Sequence, residues 1–181
     1  MKETPQEYVQ RILAKTKGQN PLKVQASTAK RLERLARRAP ASKLRKRPAP
    51  DKWSIAEIIA HVADTEIAVG WRLRQILASP GTPIQGFDQD AWVTTGNYQK
   101  RDPLKCIAQF AAAREANLIL LKSLRPEQWK HSGIHSERGE ESIEHIVTLI
   151  CGHDINHIEQ VERILSANAA RNPNKFRSKS K

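Results

Sequence analysis

A chain of 181 residues is long enough for one domain with a sizeable core, and no apolar run approaches the length of a membrane span. The net charge of +12 invites a nucleic-acid reading, but the charge belongs to the ends: 14 basic against 3 acidic residues in 1–50, 12 against 16 in 51–165, and 5 against none in 166–181. A mildly acidic middle argues against a phosphate-backbone groove there.

Specific nucleic-acid binding is therefore not expected. The basic segment Lys43-Leu44-Arg45-Lys46-Arg47 and the tail from Lys175 to Lys181 read as solvated runs. Met1-Lys2-Glu3-Thr4-Pro5 lacks the apolar centre of a signal peptide, and a cytoplasmic protein without membrane contact is expected. Cys106 and Cys151 fall inside helical patterns and read as reduced, small hydrophobes.

Residues 5–17, with Tyr8, Val9, Ile12 and Leu13, read as a short amphipathic helix that stops at Gly18. Asn20 caps a second helix with Pro21 at its first position and Leu22, Gln25, Thr28, Leu32 and Leu35 at helical spacing; Pro40 ends it. The prolines at 40, 48 and 50 suit an extended surface connection. Ser54-Ile55-Ala56-Glu57 is a capping box, and Trp53 is placed to staple against Ile58. The helix it opens runs to Ser79-Pro80-Gly81, about 37 Å at 1.5 Å per residue.

Residues 79–101 are polar, rich in Gly and Pro, and too long for a tight turn, so they are expected to cross the bundle or cover a site. Phe87 or Trp92 is expected to pack down from this loop. Asp102 and Pro103 start a third long helix with a stripe of Leu104, Ile107, Phe110, Leu118 and Leu121, on which Arg114 also falls. Residues 125–139 are irregular, and His131 and His135 read as surface residues, with His135 at a pocket rim. The last helix starts near Glu140–Ser142 and runs to about Ala167. Four long helices without a strand pattern predict an all-α, four-helix bundle.

His153 and His157 lie four apart, one above the other, where the stripe of Ile143, Val147, Ile150, Val161 and Ile164 should face the interior. A lone buried histidine is usually a hydrogen-bonded core residue; two on one face make half a metal site. His61, two turns into its own helix, comes level with them to about 6 Å if the two helices run antiparallel. Asp64 or Glu66 is placed to orient a histidine or move a proton. An inward Arg114 and Glu66 suggest either a buried ion pair or a grip on an anionic substrate.

Trp53-Ser54 opening a helix, Ala60-His61-Val62-Ala63-Asp64-Thr65-Glu66 and Gly152-His153-Asp154-Ile155-Asn156-His157 resemble the DinB/YfiT-like family of metalloenzymes over about residues 20–167. Phe87-Asp88-Gln89-Asp90-Ala91-Trp92 and His135-Ser136-Glu137-Arg138-Gly139 resemble one branch of it. The resemblance implies up-down-down-up order, with 79–101 as the crossover joining the second and third bundle helices. It further implies a divalent metal, zinc, nickel or iron, on His61, His153 and His157, and a homodimer. The short helix of 1–19 and a basic, disordered tail over 168–181 lie outside the match.

Three neutral imidazoles leave a metal ion its full charge and open positions, the pattern of catalytic sites. Two reactions follow: thiol-dependent transfer using bacillithiol, mycothiol or glutathione, favoured on the resemblance, and hydrolysis of a small ester or amide. Arg114, Trp92, Asp88 and His135 are candidate pocket residues for the small-molecule substrate. The rival reading is a non-enzymatic, metal-stabilised binding module whose basic ends contact nucleic acid.

Overall fold

In the computed structural model residues 3–170 are described. In chain order they form α1 (Pro5–Ala14), α2 (Pro21–Arg38), a single turn α3 (Ala41–Leu44), α4 (Ile55–Ala78), β1 (Pro83–Ile84), α5 (Gln89–Thr95), α6 (Pro103–Lys122), β2 (Ser132–His135), β3 (Gly139–Ser142) and α7 (Ile143–Ala170). The starts of the long helices follow from local chemistry. The Asn20 side chain accepts from the amide of Lys23, Ser54 and Glu57 complete their reciprocal box, and Asp102 accepts from the amides of Leu104 and Lys105. Arg47, inside the basic segment expected to be solvated, clamps the Glu57 carboxylate of that box.

Helices α2, α4, α6 and α7 make a four-helix bundle, and side-chain pairs give their directions. Between α4 and α6, Asp64 meets Gln109 and Glu66 meets Arg114 and Asn117, so the two run parallel. Gln25 meets Val147, Thr28 meets Asp154 and Arg31 meets Glu162, so α2 and α7 also run parallel. The start of α4 packs with the end of α7, both in one apolar cluster with Ile58, Ile59, Ile158 and Val161. Its end packs with the start of α7 in a second cluster containing Leu73, Ile76, Ile143 and Ile146. These two are antiparallel, and the order is up-down-down-up with 79–102 as the crossover. Between the clusters lies a polar waist.

The crossover is more ordered than its composition indicates. It holds β1, α5 capped by Asp88, and a 3-10 turn over Tyr98–Lys100. Phe87 and Trp92 stack at 4.3 Å, and Trp92 packs on the first cluster. A three-stranded sheet also forms, β1 parallel to β2 and β2 antiparallel to β3, with Gly139 turning at φ 79°. Strands of two and four residues are too short to write a period-two pattern, which is why the sequence reads as irregular connections there. Two further corrections concern the helices: Leu104 is 41% exposed and leaves the α6 stripe, and α7 runs to Ala170. From residue 171 onward the expected tail lies outside the described residues.

Helix α1 docks on α7. Ile12 is fully buried against Gly152, Arg11 donates to Asn156 at 3.2 Å, and Lys15 pairs with Glu159 at 2.7 Å. A Cβ on Gly152 would stand 2.3 Å from the Ile12 carbonyl oxygen, a backbone clash that only movement of α1 relieves. Gly152→Ala is therefore expected to lower stability by about 1–3 kcal/mol. It should also make α1 the first site of limited proteolysis; an unchanged denaturant midpoint and cleavage pattern would contradict this packing.

Candidate metal centre

Two turns into α4, and one turn before and at the middle of α7, the antiparallel pairing brings three imidazoles together. One ring nitrogen from each of His61, His153 and His157 lies within 4.8 Å of the others, and all three residues are buried. His61 Nε2 and His153 Nε2 are 3.1 Å apart. Two nitrogens bound to one tetrahedral zinc at about 2.0–2.1 Å stand about 3.3–3.4 Å apart, so the donor set fits a shared ion. The offset of about 6 Å expected from counting residues is taken up by helix placement and side-chain length.

Electrostatics favours neutral rings. Burial, then the neighbouring His157 and His153, holds the His61 pKa well below the ordinary 6.5. Burial, then His153, takes His157 down to about 3. Lone pairs on such rings are available at neutral pH, as metal binding requires. His157 Nδ1 lies 3.0 Å from Gln160 Oε1; the amide oxygen can only accept, so the ring proton sits on Nδ1 and Nε2 is left as donor atom. Trp53 lies with its ring centroid 4.8 Å from that of His61 and stacks on His157 at 6.5 Å, walling the cluster on one side.

Beneath the histidines runs a buried ionic group. Arg114 donates to Asp154 Oδ2 at 2.5 Å and to Glu66 Oε2 at 2.7 Å, and also bonds the Gln25 carbonyl at 3.2 Å. Thr28 donates to Asp154 and Asn117 to Glu66. Burial pushes the Asp154 carboxyl up, but the Arg114 charge and hydrogen bonds overcome this and hold it at about 2. One guanidinium between two carboxylates leaves a net negative charge directly behind His153. That charge favours a cation in front of it.

A cavity of about 630 Å³ opens from His61 and His153 toward Gly86–Asp90, His135–Arg138 and the start of α1. Of the residues singled out from sequence, Asp88 lies exposed on its rim as the α5 cap, and His135 lines it but is buried rather than superficial. The sheet pulls His135 inward. Trp92 is not on this wall but on an adjoining hollow of about 580 Å³ with Ala68, Trp71 and Gln75. Arg114 and Glu66 line neither of these two cavities and are bound to each other in a buried ion pair, the first of the two alternatives that the sequence left open.

Asp64 is turned the other way as well, accepting from Tyr98 Oη at 2.7 Å and Arg101 at 2.8 Å to lock the crossover onto α4. Reading by residue missed Asp154 as the partner of Arg114, Gln160 three residues after His157, and Thr65 and Arg72 on the His61 face. Helical counting from the histidines reaches the last three. Cys106 and Cys151 are free and buried, as expected, and burial pushes the Cys151 thiol up to about 11.

Residues 26–161 match the DinB superfamily. A protein of Oceanobacillus iheyensis named "putative metal-dependent hydrolase" is 25% identical over 118 residues, 65% of this chain and 67% of that protein. YfiT of Bacillus subtilis, under the same description, is 22% identical over 113 residues, 62% of this chain and 64% of its own length. The match thus spans about two thirds of each relative. The solved structure of YfiT, titled a probable metal-dependent hydrolase with an unusual four-helix bundle topology, superposes with a TM-score of 0.77 at 20% identity. It covers 82% of this chain and 86% of YfiT. That likeness establishes the shared fold.

Two outcomes follow from the buried groups. His61 and His157 are uncharged when folded but accept protons near 6.5 when unfolded, so their contribution to stability is complete above 6.5 and declines as pH falls toward 3. Chelator-treated protein should therefore unfold at lower denaturant at pH 5 than at pH 7.5; equal midpoints would rule out desolvated rings. Arg114→Ala leaves two buried carboxylates unmatched and should cost about 3–5 kcal/mol in chemical denaturation. A loss below about 1 kcal/mol would show that the group is hydrated and screened.

Proposed function

Because the chain belongs to the DinB superfamily, we propose that it is a divalent-metal-dependent hydrolase of a small ester or amide, with zinc, nickel or iron held by His61, His153 and His157. The observation that carries this reading is the gathering of three buried imidazoles, two of which, His61 and His153, line an open cavity, backed by a buried net negative charge. The names of the two relatives point the same way. Bound by three neutral nitrogens, such an ion supplies a Lewis acid that lowers the pKa of water toward about 7.

The chain's own groups prepare that chemistry. Gln160 fixes the tautomer of His157, and Trp53 excludes water from the closed side of the cluster. Arg114, Asp154 and Glu66 hold α4, α6 and α7 at a common level, which sets His61 against the pair on α7. The cavity admits the substrate from the opposite side. Thiol-dependent transfer at the same ion is the second reading. It needs a thiol from solution, since Cys106 and Cys151 are buried and burial raises the pKa of both.

Elemental analysis of the purified protein should find about one divalent ion per chain, and none in His157→Ala. Hydrolysis of 4-nitrophenyl acetate should stop with chelator and return with zinc. Full metal content in His157→Ala would sink the assignment. Turnover of an electrophile such as 1-chloro-2,4-dinitrobenzene with glutathione, without ester hydrolysis, would select the transferase reading.

A further inference from the structure

Three polar side chains on the cavity wall take no part in holding the histidines. The first is His135, 2% exposed, whose Nδ1 accepts from the amide of Glu137 at 3.1 Å. In the neutral ring the proton therefore lies on Nε2, and that nitrogen is buried and has no partner among the described residues. A second, the Thr65 hydroxyl, one turn beyond His61 on the same helix face, is in the same condition at 7% exposure. Buried donors left without an acceptor are costly, and here both line an open space.

The third is Arg72. Its guanidinium lies 5.3 Å over the Phe87 ring and gives one hydrogen bond to the Gln85 carbonyl at 2.7 Å, but no carboxylate pairs with it among the described residues. The neighbouring charges are engaged or superficial. Arg138 is bound by both oxygens of Glu141, Glu3 pairs with Arg11, Asp88 caps α5, and Asp90 and Glu137 are exposed. Burial lowers the Arg72 pKa, the mark of a guanidinium partly stripped of water.

His61, Thr65, Val69 and Arg72 follow one another down a single face of α4, so the wall runs from the histidines to Arg72 over about 16 Å at 1.5 Å per residue. Between its ends the lining includes apolar Val69, Phe87, Leu149 and Ile150. We infer that Arg72 and His135 Nε2–H form an acid-binding subsite for the carboxylate of an elongated, otherwise apolar substrate whose reacting end lies at the three histidines. This rests on the reading of the cavity as the substrate site. Both groups line one cavity and the Arg72 charge is felt at His135; a planar guanidinium and a second N–H are the donor set that a carboxylate accepts, and the neutral carboxamide of the same acid cannot replace it.

The probes are 6-benzamidohexanoate and its terminal carboxamide, titrated calorimetrically into the full chain in metal-loaded and chelator-treated forms. The acid should bind about tenfold more tightly than the carboxamide in both forms. Arg72→Gln and His135→Asn should each reduce that preference about fivefold, and Arg72→Lys should keep part of it. Should buried His135→Asn fail to fold, the half-buried Arg72 variants still decide the matter. Equal binding of acid and carboxamide overturns the subsite. So does a preference seen only with metal and unaltered in Arg72→Gln, which assigns the carboxylate to the ion. A preference found in a protein that takes up no divalent ion even when metal is supplied supports the subsite while removing the metal-dependent hydrolase reading.

Discussion

One guanidinium shared by two buried carboxylates sets the geometry of this bundle. Arg114 comes from α6, Glu66 from α4 and Asp154 from α7, while α2 contributes Thr28 to Asp154 and the Gln25 carbonyl to Arg114. All four bundle helices thus meet at one cation. A buried ion pair adds little to stability over a well-packed apolar substitute, because desolvation cancels most of the attraction. Its value lies in register: α4 and α7 cannot slide by a turn without stranding a charge. His61 stands five residues before Glu66 and His153 beside Asp154, so fixing the acids fixes the imidazoles.

The polar waist stays dry where it must because apolar clusters close it above and below. Ile58, Ile59, Ile158 and Val161 seal one end, and Leu73, Ile76, Ile143 and Ile146 the other. Interactions in such an interior are only weakly screened, so the unmatched charge of the Glu66–Arg114–Asp154 group is felt by the rings in front of it. Burial keeps the His61 and His157 rings uncharged, and a negative group behind the cluster suits it to a cation.

Much of this was legible in local sequence. Helix starts at Asn20-Pro21, Ser54 to Glu57 and Asp102-Pro103 depend on hydrogen bonds within four residues, and each formed as read. The four-residue spacing of His153 and His157 required only helical geometry. What stayed hidden depends on tertiary contact. Nothing in the chain near Asp64 says that Tyr98 and Arg101 will claim it, or that a hairpin of four-residue strands will carry His135 from surface to interior. Arg114 was ambiguous for the same reason: its two carboxylates lie 48 and 40 positions away, beyond any periodicity.

The short first helix has a role larger than its length. Residues 26–161 carry the match to the superfamily, yet Glu3, Thr4, Pro5 and Tyr8 supply part of the wall facing His61 and His153. The histidine cluster and one jaw of the cavity beside it are thus encoded in separate stretches of chain, held together by Ile12 on Gly152 and by two polar contacts to α7. Selectivity for the guest can drift by rewriting that jaw while the imidazoles remain as they are.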